Sequence, residues 1–462
     1  LDNGTTQVGY TSGVTVTNPG TYQIVAWQVD AAGNIGARSN AILVIINLVS
    51  MTWSAGFPKT TDQGPTAIRM AYQTSLAGTV KYVVLPAAAQ APSAAQINAG
   101  TDAAGAPPVQ QGALSVAANT EASATITGLA LGTNYDVWSV ASAAAGSTIE
   151  PTKVMVSTPA VFTKIKDPAE WSVRSRFTSV MFNDRLWVIG GGDGGIPLTL
   201  NDAWSSPDGI SWTEATQGSD AIFTACESHG VASFNGKLWV MGGRQNSTGF
   251  LSKEIWNSSD GKNWTMAGFA DSWGGIDTGS GRSKFGLVPY QPSGGTEKLY
   301  LLGGFGGSAN SLQNDVWSST DGTTWTSLGN APWLTRESFG CAVFQGKIFV
   351  IGGNGANGCL ADIWSFDGSN WTQVTDGAAW GSRKEMKTTV LGDKLFVFGG
   401  RDSDGIPRND LWYTQNGTDW TSVAGGFPGS ARTESGFVTD GFHLYILGGD
   451  SSATMLNDIW KL

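Results

Sequence analysis

Short apolar runs that close on a pair of glycines recur six times along this chain. They are Leu186-Trp187-Val188-Ile189-Gly190-Gly191, Leu238 to Gly243, Leu299 to Gly304, Ile348 to Gly353, Leu395 to Gly400 and Leu444 to Gly449. Each is too short for a helix and is bounded by turn residues, so it reads as a buried strand. Behind each comes a variable loop and then an acidic residue two positions before a Trp: Asp202/Trp204, Glu254/Trp256, Asp315/Trp317, Asp362/Trp364, Asp410/Trp412 and Asp458/Trp460. That Trp marks a third strand. Asp208-Gly209, Asp260-Gly261, Asp321-Gly322, Asp367-Gly368 and Asn416-Gly417 follow, each leading into a Trp-Thr pair from Trp212-Thr213 to Trp420-Thr421. Asp-Gly and Asn-Gly between strands predict a type I′ hairpin with positive φ at both central residues. A self-similarity of roughly 40 to 60 residues signals a repeat architecture, here of six four-stranded units.

The sixth unit stops at Leu462, just after its third-strand Trp, and lacks a fourth strand. Aligning Phe162-Thr163 with Trp371-Thr372 sets Trp171 on Trp380 and Arg174 on Arg383 without a gap. Val161 to Lys166 is therefore expected to supply the missing outer strand and close a ring, which removes exposed sheet edges.

With its Gly-Gly pair, an aromatic in strand three and a Trp in strand four, the repeat resembles the kelch family of galactose-oxidase-like propellers, although Trp stands where that family usually has Tyr. The resemblance implies a six-bladed β-propeller over residues 160–462, closed by N-terminal strand exchange. Residues 49–159 carry strand-like runs (Ala67 to Gln73, Val80 to Leu85, Ser123 to Ile126, Tyr135 to Ala141) and a corner from Thr127 to Tyr135, and resemble a fibronectin type III sandwich. An Ala-rich stretch within them is expected to hold a short helix from Ser93 to Asn98. Residues 1–48 resemble the last strands of a bacterial immunoglobulin-like domain and are short for a complete sandwich. The fold class is all-β. Tandem sandwiches ahead of a propeller resemble the stalks of bacterial surface and secreted proteins, which implies an extracellular location.

Composition agrees with short strands and tight turns: the chain has 63 Gly and 17 Pro. Only 14% of residues are charged, the net charge is −10 and the pI is about 4.7, which argues against nucleic acid as a partner. The most apolar stretch, Ala41 to Ile46, is far below the roughly 20 residues of a membrane-spanning helix. The chain starts at Leu1 with no basic-then-apolar leader, so any export signal or upstream domain is expected to lie outside it. Cys226, Cys341 and Cys359 allow at most one disulfide and show no metal-ligand spacing.

Candidate chemistry gathers in the loops that lead into strand one. Arg174, Arg282, Arg336, Arg383 and Arg432 recur there, with Cys226 in the second unit. Two residues on stand Arg176, Ser228, Lys284, Ser338, Glu385 and Glu434, with Glu337 and His229 adjacent, so the channel mouth is expected to be ringed by charge. Two readings compete for the arginines. They tie neighbouring repeats together, or they form an anion or sugar-acid site with Glu385, Glu434 and the loop aromatics Trp273, Trp333 and Trp380, since a guanidinium fork suits a carboxylate. The Trp residues of strands three and four are structural, because they recur from unit to unit, whereas a functional residue need not.

Galactose oxidase-type copper chemistry requires two His, and this chain has only His229 and His443, the latter expected on an outward strand-two position. A sialidase nucleophile, a Tyr paired with a Glu, is not evident. The expectation is a non-enzymatic module that binds a glycan or a surface protein, with a self-assembling filament or surface-layer subunit as one alternative. A mutarotase-like enzyme using Arg383/Glu385 and Arg432/Glu434 is the other. No cofactor is expected; the loop Asp402-Ser403-Asp404-Gly405 offers oxygen ligands for Ca2+.

Overall fold

A computed structural model of the chain describes residues 50–143, 147–194, 199–216, 218, 222–245, 249–274, 281–306 and 311–462, together with the backbone of four short strands before them. Regular structure is nearly all strand; among the described residues helix is confined to Ala94–Ala99 and Asp271–Gly274. The chain divides into two compact units, one made of residues 1–61, 69–124 and 135–155, the other of 62–68, 125–134 and 156–462.

In the first unit the strand Gly78–Pro86 is central. It pairs with Gln110–Val116 on one side and Asn134–Ala143 on the other, and the latter pairs with Thr152–Ser157. A second sheet orders Lys59–Gln63, Ile68–Tyr72 and Ala122–Ile126. Tyr72 of that sheet receives a 3.3 Å hydrogen bond from Ser139 of the first and stacks on Tyr82. The helix Ala94–Ala99 is set by a capping box between Ser93 and Gln96 and ended by left-handed Gly100, and it buries Ile97 against Val83, Leu85 and Val140. Of the segment expected to be immunoglobulin-like, residues 1–19 lie outside the described residues. Beyond them the backbone pairs Gly20–Ile24 with Ile42–Ile46 and Trp27–Val29 with Ile35–Arg38.

Among the described residues the second unit holds six antiparallel sheets of four or five strands, besides a short pairing of Arg383–Lys384 with Arg401–Asp402, and each Gly-Gly run closes the second strand of its own sheet. The innermost strands are Thr178–Phe182, Gly230–Phe234, Gly286–Tyr290, Gly340–Phe344, Lys387–Leu391 and Gly436–Thr439, and we number the sheets 1 to 6 in that order. Each innermost strand touches the next, and the sixth touches the first, so the sheets form a closed ring. In sheet 6 the strand order is Thr163–Lys166, Met455–Lys461, Leu444–Asp450, Gly436–Thr439. The outermost strand thus comes from the start of the unit, with Thr163 opposite Lys461 and Lys164 opposite Trp460.

Aromatic packing repeats with the same period. The loop entering each sheet places an aromatic ring edge-on against the residue at, or just before, the start of that sheet's fourth strand: Trp171 on Trp212, Phe223 on Trp264, Trp273 on Trp325, Trp333 on Trp371, Trp380 on Trp420 and Phe427 on Phe162. Interplanar angles run from 71° to 87°, the geometry that sets a positive ring edge against a negative face. Phe162 fills in sheet 6 the place that Trp fills in the other five.

The glycine pair is required twice over. At Gly190 and Gly191 φ is 58° and 101°, a region that penalises side chains. A Cβ on Gly191 would strike Phe177 of its own sheet, and one on Gly190 would strike His229 and the Cys226 carbonyl from sheet 2. The two glycines let strand two turn outward between two sheets.

The Asp-Gly turns depart from the expected type I′ form. Only the glycine is left-handed, with φ 75° at Gly209, while the Asp keeps negative φ. The Asp side chain makes the turn instead: Asp208 accepts the amides of Ile210 and Ser211, both at 2.8 Å, and Ser206 Oγ accepts the amide of Gly209. Asp260, Asp321, Asp367 and Asn416 each accept the equivalent pair of amides. Paired positive φ values occur in the hairpins joining strands one and two, at Asn183-Asp184, Asn235-Gly236 and Gln345-Gly346.

Phe162→Ala should lower the stability of the ring unit by about 3 to 5 kcal/mol, because it empties a buried site packed on Phe427. Val161→Ala, at an exposed position, should change it little. Urea unfolding of the two variants checks this; equal midpoints would mean that the terminal strand does not hold sheet 6.

Candidate functional site

Each of the five recurrent arginines is 0–3% exposed. Its guanidinium grips the carboxylate that precedes the third-strand Trp of its own sheet. Arg174 donates to both oxygens of Asp202 at 2.7 Å, Arg336 to Asp362 at 2.8 and 2.7 Å, and Arg432 to Asp458 at 2.7 and 3.1 Å. Arg282 and Arg383 do the same to Asp315 and Asp410. Every one also donates to the carbonyl of the first glycine of the pair: Gly190, Gly303, Gly352, Gly399 and Gly448. The Trp two residues on donates its indole N–H to the same carboxylate, as Trp364 does to Asp362 at 2.7 Å. The acidic residue recurs two before a Trp because one carboxylate serves both groups.

This corrects the two sequence expectations for these residues. The side-chain fork ties the entering loop to its own sheet rather than to a neighbour. The link to the neighbour is made by backbone: the amide of Gly243 donates to the carbonyl of Arg282, and that of Gly400 to the carbonyl of Arg432. As ligand donors, Arg174, Arg282, Arg336, Arg383 and Arg432 are turned inward and spent on carboxylates. The sugar-acid pairs Arg383/Glu385 and Arg432/Glu434 lose their arginines for the same reason. Trp273 and Trp333 are buried and Trp380 is half-buried, all three within the aromatic contacts described above. Sheet 2 is the exception: Cys226 stands for Arg and Glu254 for Asp, while Trp256 still donates to Glu254 at 2.9 Å.

Two residues inward the chain forms a narrower ring. Arg176, Ser228, Lys284, Ser338, Glu385 and Glu434 all lie in the left-handed region, with φ between 53° and 60°. The amide of each donates to the carbonyl of its counterpart in the preceding sheet. Ser228 donates to Arg176, Lys284 to Ser228, Ser338 to Lys284, Glu385 to Ser338, Glu434 to Glu385 and Arg176 to Glu434, at 2.8 to 3.4 Å. A cycle of six backbone hydrogen bonds therefore rims the channel, and satisfying six amides offsets the cost of six strained residues.

The side chains on that rim are charged and mostly paired. Arg176 Nε lies 2.9 Å from Glu434 and its Nη1 3.4 Å from Glu227. Lys284 meets Glu337, and Arg401 meets Glu385, each at 3.4 Å. Burial pushes the Glu434 carboxyl up, Arg176 pulls it down, and Glu385 adds to the rise, for a net upward shift. Behind the rim lies a cavity of about 270 Å³ lined by all six innermost strands. Lys387 lines it too, and its place two residues after Glu385, at the start of the innermost strand, is the sequence signal for it. Glu385 and Glu434 are thus brought together at the channel, while the arginines and tryptophans named with them are not.

His229 is buried between sheets 1 and 2, where Phe177, Phe285 and Phe339 stand in other sheets. Burial, offset in part by the carbonyls of Ile189 and Cys226, brings its pKa down from 6.5 to about 4. His443 is not outward: it is 3% exposed, with Nδ1 3.1 Å from Asp440 and Nε2 3.1 Å from Asp62. Its neighbours in sequence, Asp440 and Phe442, form the turn that folds it inward. The two His sit in different sheets of the ring. In the loop considered for Ca2+, Asp402 accepts the amides of Asp404 and Ile406 and pairs with Arg408, so its oxygens are occupied by the protein.

Residues 293–462, from sheet 3 to the end of the chain, match the family model described as the KLHDC2/KLHL20/DRC7 Kelch-repeats domain. Over those residues the chain is similar to kelch repeats. No curated protein sequence matches the chain. The kelch match and the all-β sheets together support a kelch-type β-propeller, in which the glycine pair, the acid-x-Trp element and the arginine form one buried clamp.

Two outcomes test this kelch clamp. Arg432→Ala should cost about 3 to 5 kcal/mol, since it leaves Asp458 buried without its partner, and differential calorimetry should show a clearly lower midpoint; an unchanged midpoint would return the arginine to the list of ligand residues. His229→Phe tests the other buried group. With a folded pKa of about 4 against 6.5 unfolded, His229 favours the native state fully above pH 6.5. That contribution is lost as pH falls towards 4, because only the unfolded chain takes up the proton. The drop in urea midpoint between about pH 7.5 and pH 5 should therefore be smaller in His229→Phe than in the wild type.

Proposed function

We propose that the chain is an extracellular binding module: a six-bladed kelch propeller closed by Thr163–Lys166, carried behind fibronectin type III-like and immunoglobulin-like modules, that engages a protein partner through its loop face. The closed cycle of innermost strands and the Phe162–Phe427 contact support six blades. Two sheets bridged by Tyr72 and Ser139 support a sandwich ahead of it. Kelch repeats often mediate protein interactions.

One observation carries the choice of face and partner. The loops joining strands two and three open at the same edge as those entering strand one, since Glu337 pairs with Asn354 and Thr433 with Asp450. On that edge stand Val173, Phe250, Leu334 and Ile406, which are 39, 51, 66 and 49% exposed. They surround a charged rim, the apolar-and-charged composition of a protein-binding surface. Trp273 and Trp333, the expected stacking platforms for a sugar, are buried, which favours protein over glycan. Partner residues with apolar side chains suit this surface.

The triple variant Phe250→Ser, Leu334→Ser, Ile406→Ser should keep its melting midpoint and weaken a purified partner at least about tenfold. A control pair at exposed outer-strand positions, Met266→Ser with Phe269→Ser, should bind as the wild type does. Surface plasmon resonance distinguishes the two; equal affinity of the triple variant would remove the loop face from the proposal, and selective binding on a glycan array would replace protein with carbohydrate.

A further inference from the structure

The channel behind the rim has a charge that the rim does not neutralise. One step inward from the six left-handed residues, the innermost strands begin with Thr178, Gly230, Gly286, Gly340, Lys387 and Gly436. Register fixes them in one layer, because each pairs with the residue just before a glycine pair: Ile189, Met241, Leu302, Ile351, Phe398 and Leu447. Four of the six are glycine, so the layer has little side chain of its own, and Lys387 is its one charged member. Arg176, Lys284, Glu385 and Glu434 each have an opposite charge within 3.4 Å. Lys387 has no carboxylate within 4.0 Å among the described residues. Lys387 lines the 270 Å³ cavity together with the hydroxyl-bearing Ser179, Ser228 and Ser338 and with Arg176, Lys284, Glu385 and Glu434, whose charges are met by one another or by neighbouring side chains.

We propose that this layer is a binding site for a small oxyanion, a carboxylate of a few heavy atoms or an inorganic phosphate, held by Lys387 with hydroxyl groups around it. A half-buried ammonium with no carboxylate in contact gains from an anion of this size, which supplies a countercharge and oxygen acceptors for its protons. The glycines provide the room; a side chain at Gly340, for instance, would meet Thr388 of the next sheet. The burial of Lys387 works against its charged form while Glu434 and Glu385 favour it, consistent with an ammonium that gains from an added anion. The site is separate from the loop-face apolar residues and does not depend on them.

The test is titration of the full chain with acetate, glycerate and inorganic phosphate, each against chloride at matched ionic strength, read by calorimetry and by the melting midpoint. At least one probe should bind the wild type and raise its midpoint, and which of them does so separates carboxylate from phosphate. Lys387→Met should weaken that probe at least about tenfold, the loss expected for one charge-assisted hydrogen bond, and Lys387→Arg should retain part of the binding. The midpoint of Lys387→Met without ligand shows whether it folds, and if it does not, the same loss is sought in Gly340→Ala, which narrows the layer without touching the charge. Binding unchanged in a folded Lys387→Met, or no binding of any probe to the wild type at about 10 mM, an affinity too weak to be specific, overturns the proposal.

Discussion

The bidentate pair between a buried arginine and the carboxylate before the third-strand Trp organises the propeller. Burying a guanidinium is costly unless its charge is met, and here it is met by two carboxylate oxygens and a glycine carbonyl, as in Arg336 with Asp362 and Gly352. That requirement sets the path of the entering loop, the outward turn of strand two at the glycine pair, and the side of the sheet on which the Trp lies. The Asp362 and Asp458 carboxyls, raised by burial, are brought below their ordinary range by Arg336 and Arg432. The clamp is therefore ionised across the neutral range and gives way only in acid.

Much of this architecture is legible in the sequence because it repeats. A Gly-Gly pair ending four apolar residues, an acid two before a Trp and a Trp-Thr after Asp-Gly need no tertiary information to be recognised, and the sheets carry them in those places. What repetition could not reveal was partnership. Arg383 and Asp410 are 27 residues apart, and only the fold shows that one consumes the other, so the arginine read equally well as a ligand donor. The same holds for Trp333, whose edge-on contact with Trp371 spans a loop of variable length.

The misread turns teach a different point. Asp208-Gly209 has the residues of a type I′ hairpin, but a carboxylate that can accept two amides of its own loop competes with that conformation and wins. Asn183-Asp184, with less obvious turn chemistry, takes the paired left-handed form because only two residues separate Phe182 from Arg185. His443 was misplaced for a related reason. It stands where Lys237, Lys347 and Lys394 stand in other repeats, residue types that suggest solvent, yet even Lys394 is buried, so the position is not reliably outward.

The rim of the channel separates framework from decoration. Its six residues are held by backbone hydrogen bonds that ignore side-chain identity, which is why arginine, serine, lysine and glutamate occupy equivalent places. The left-handed conformation nevertheless excludes β-branched side chains on steric grounds, and none of the six is Val, Ile or Thr. The mouth can thus be rewritten one position at a time, in a restricted alphabet of unbranched residues, without disturbing the ring that presents it. Diversity in what enters the channel can be gained there at little risk to folding.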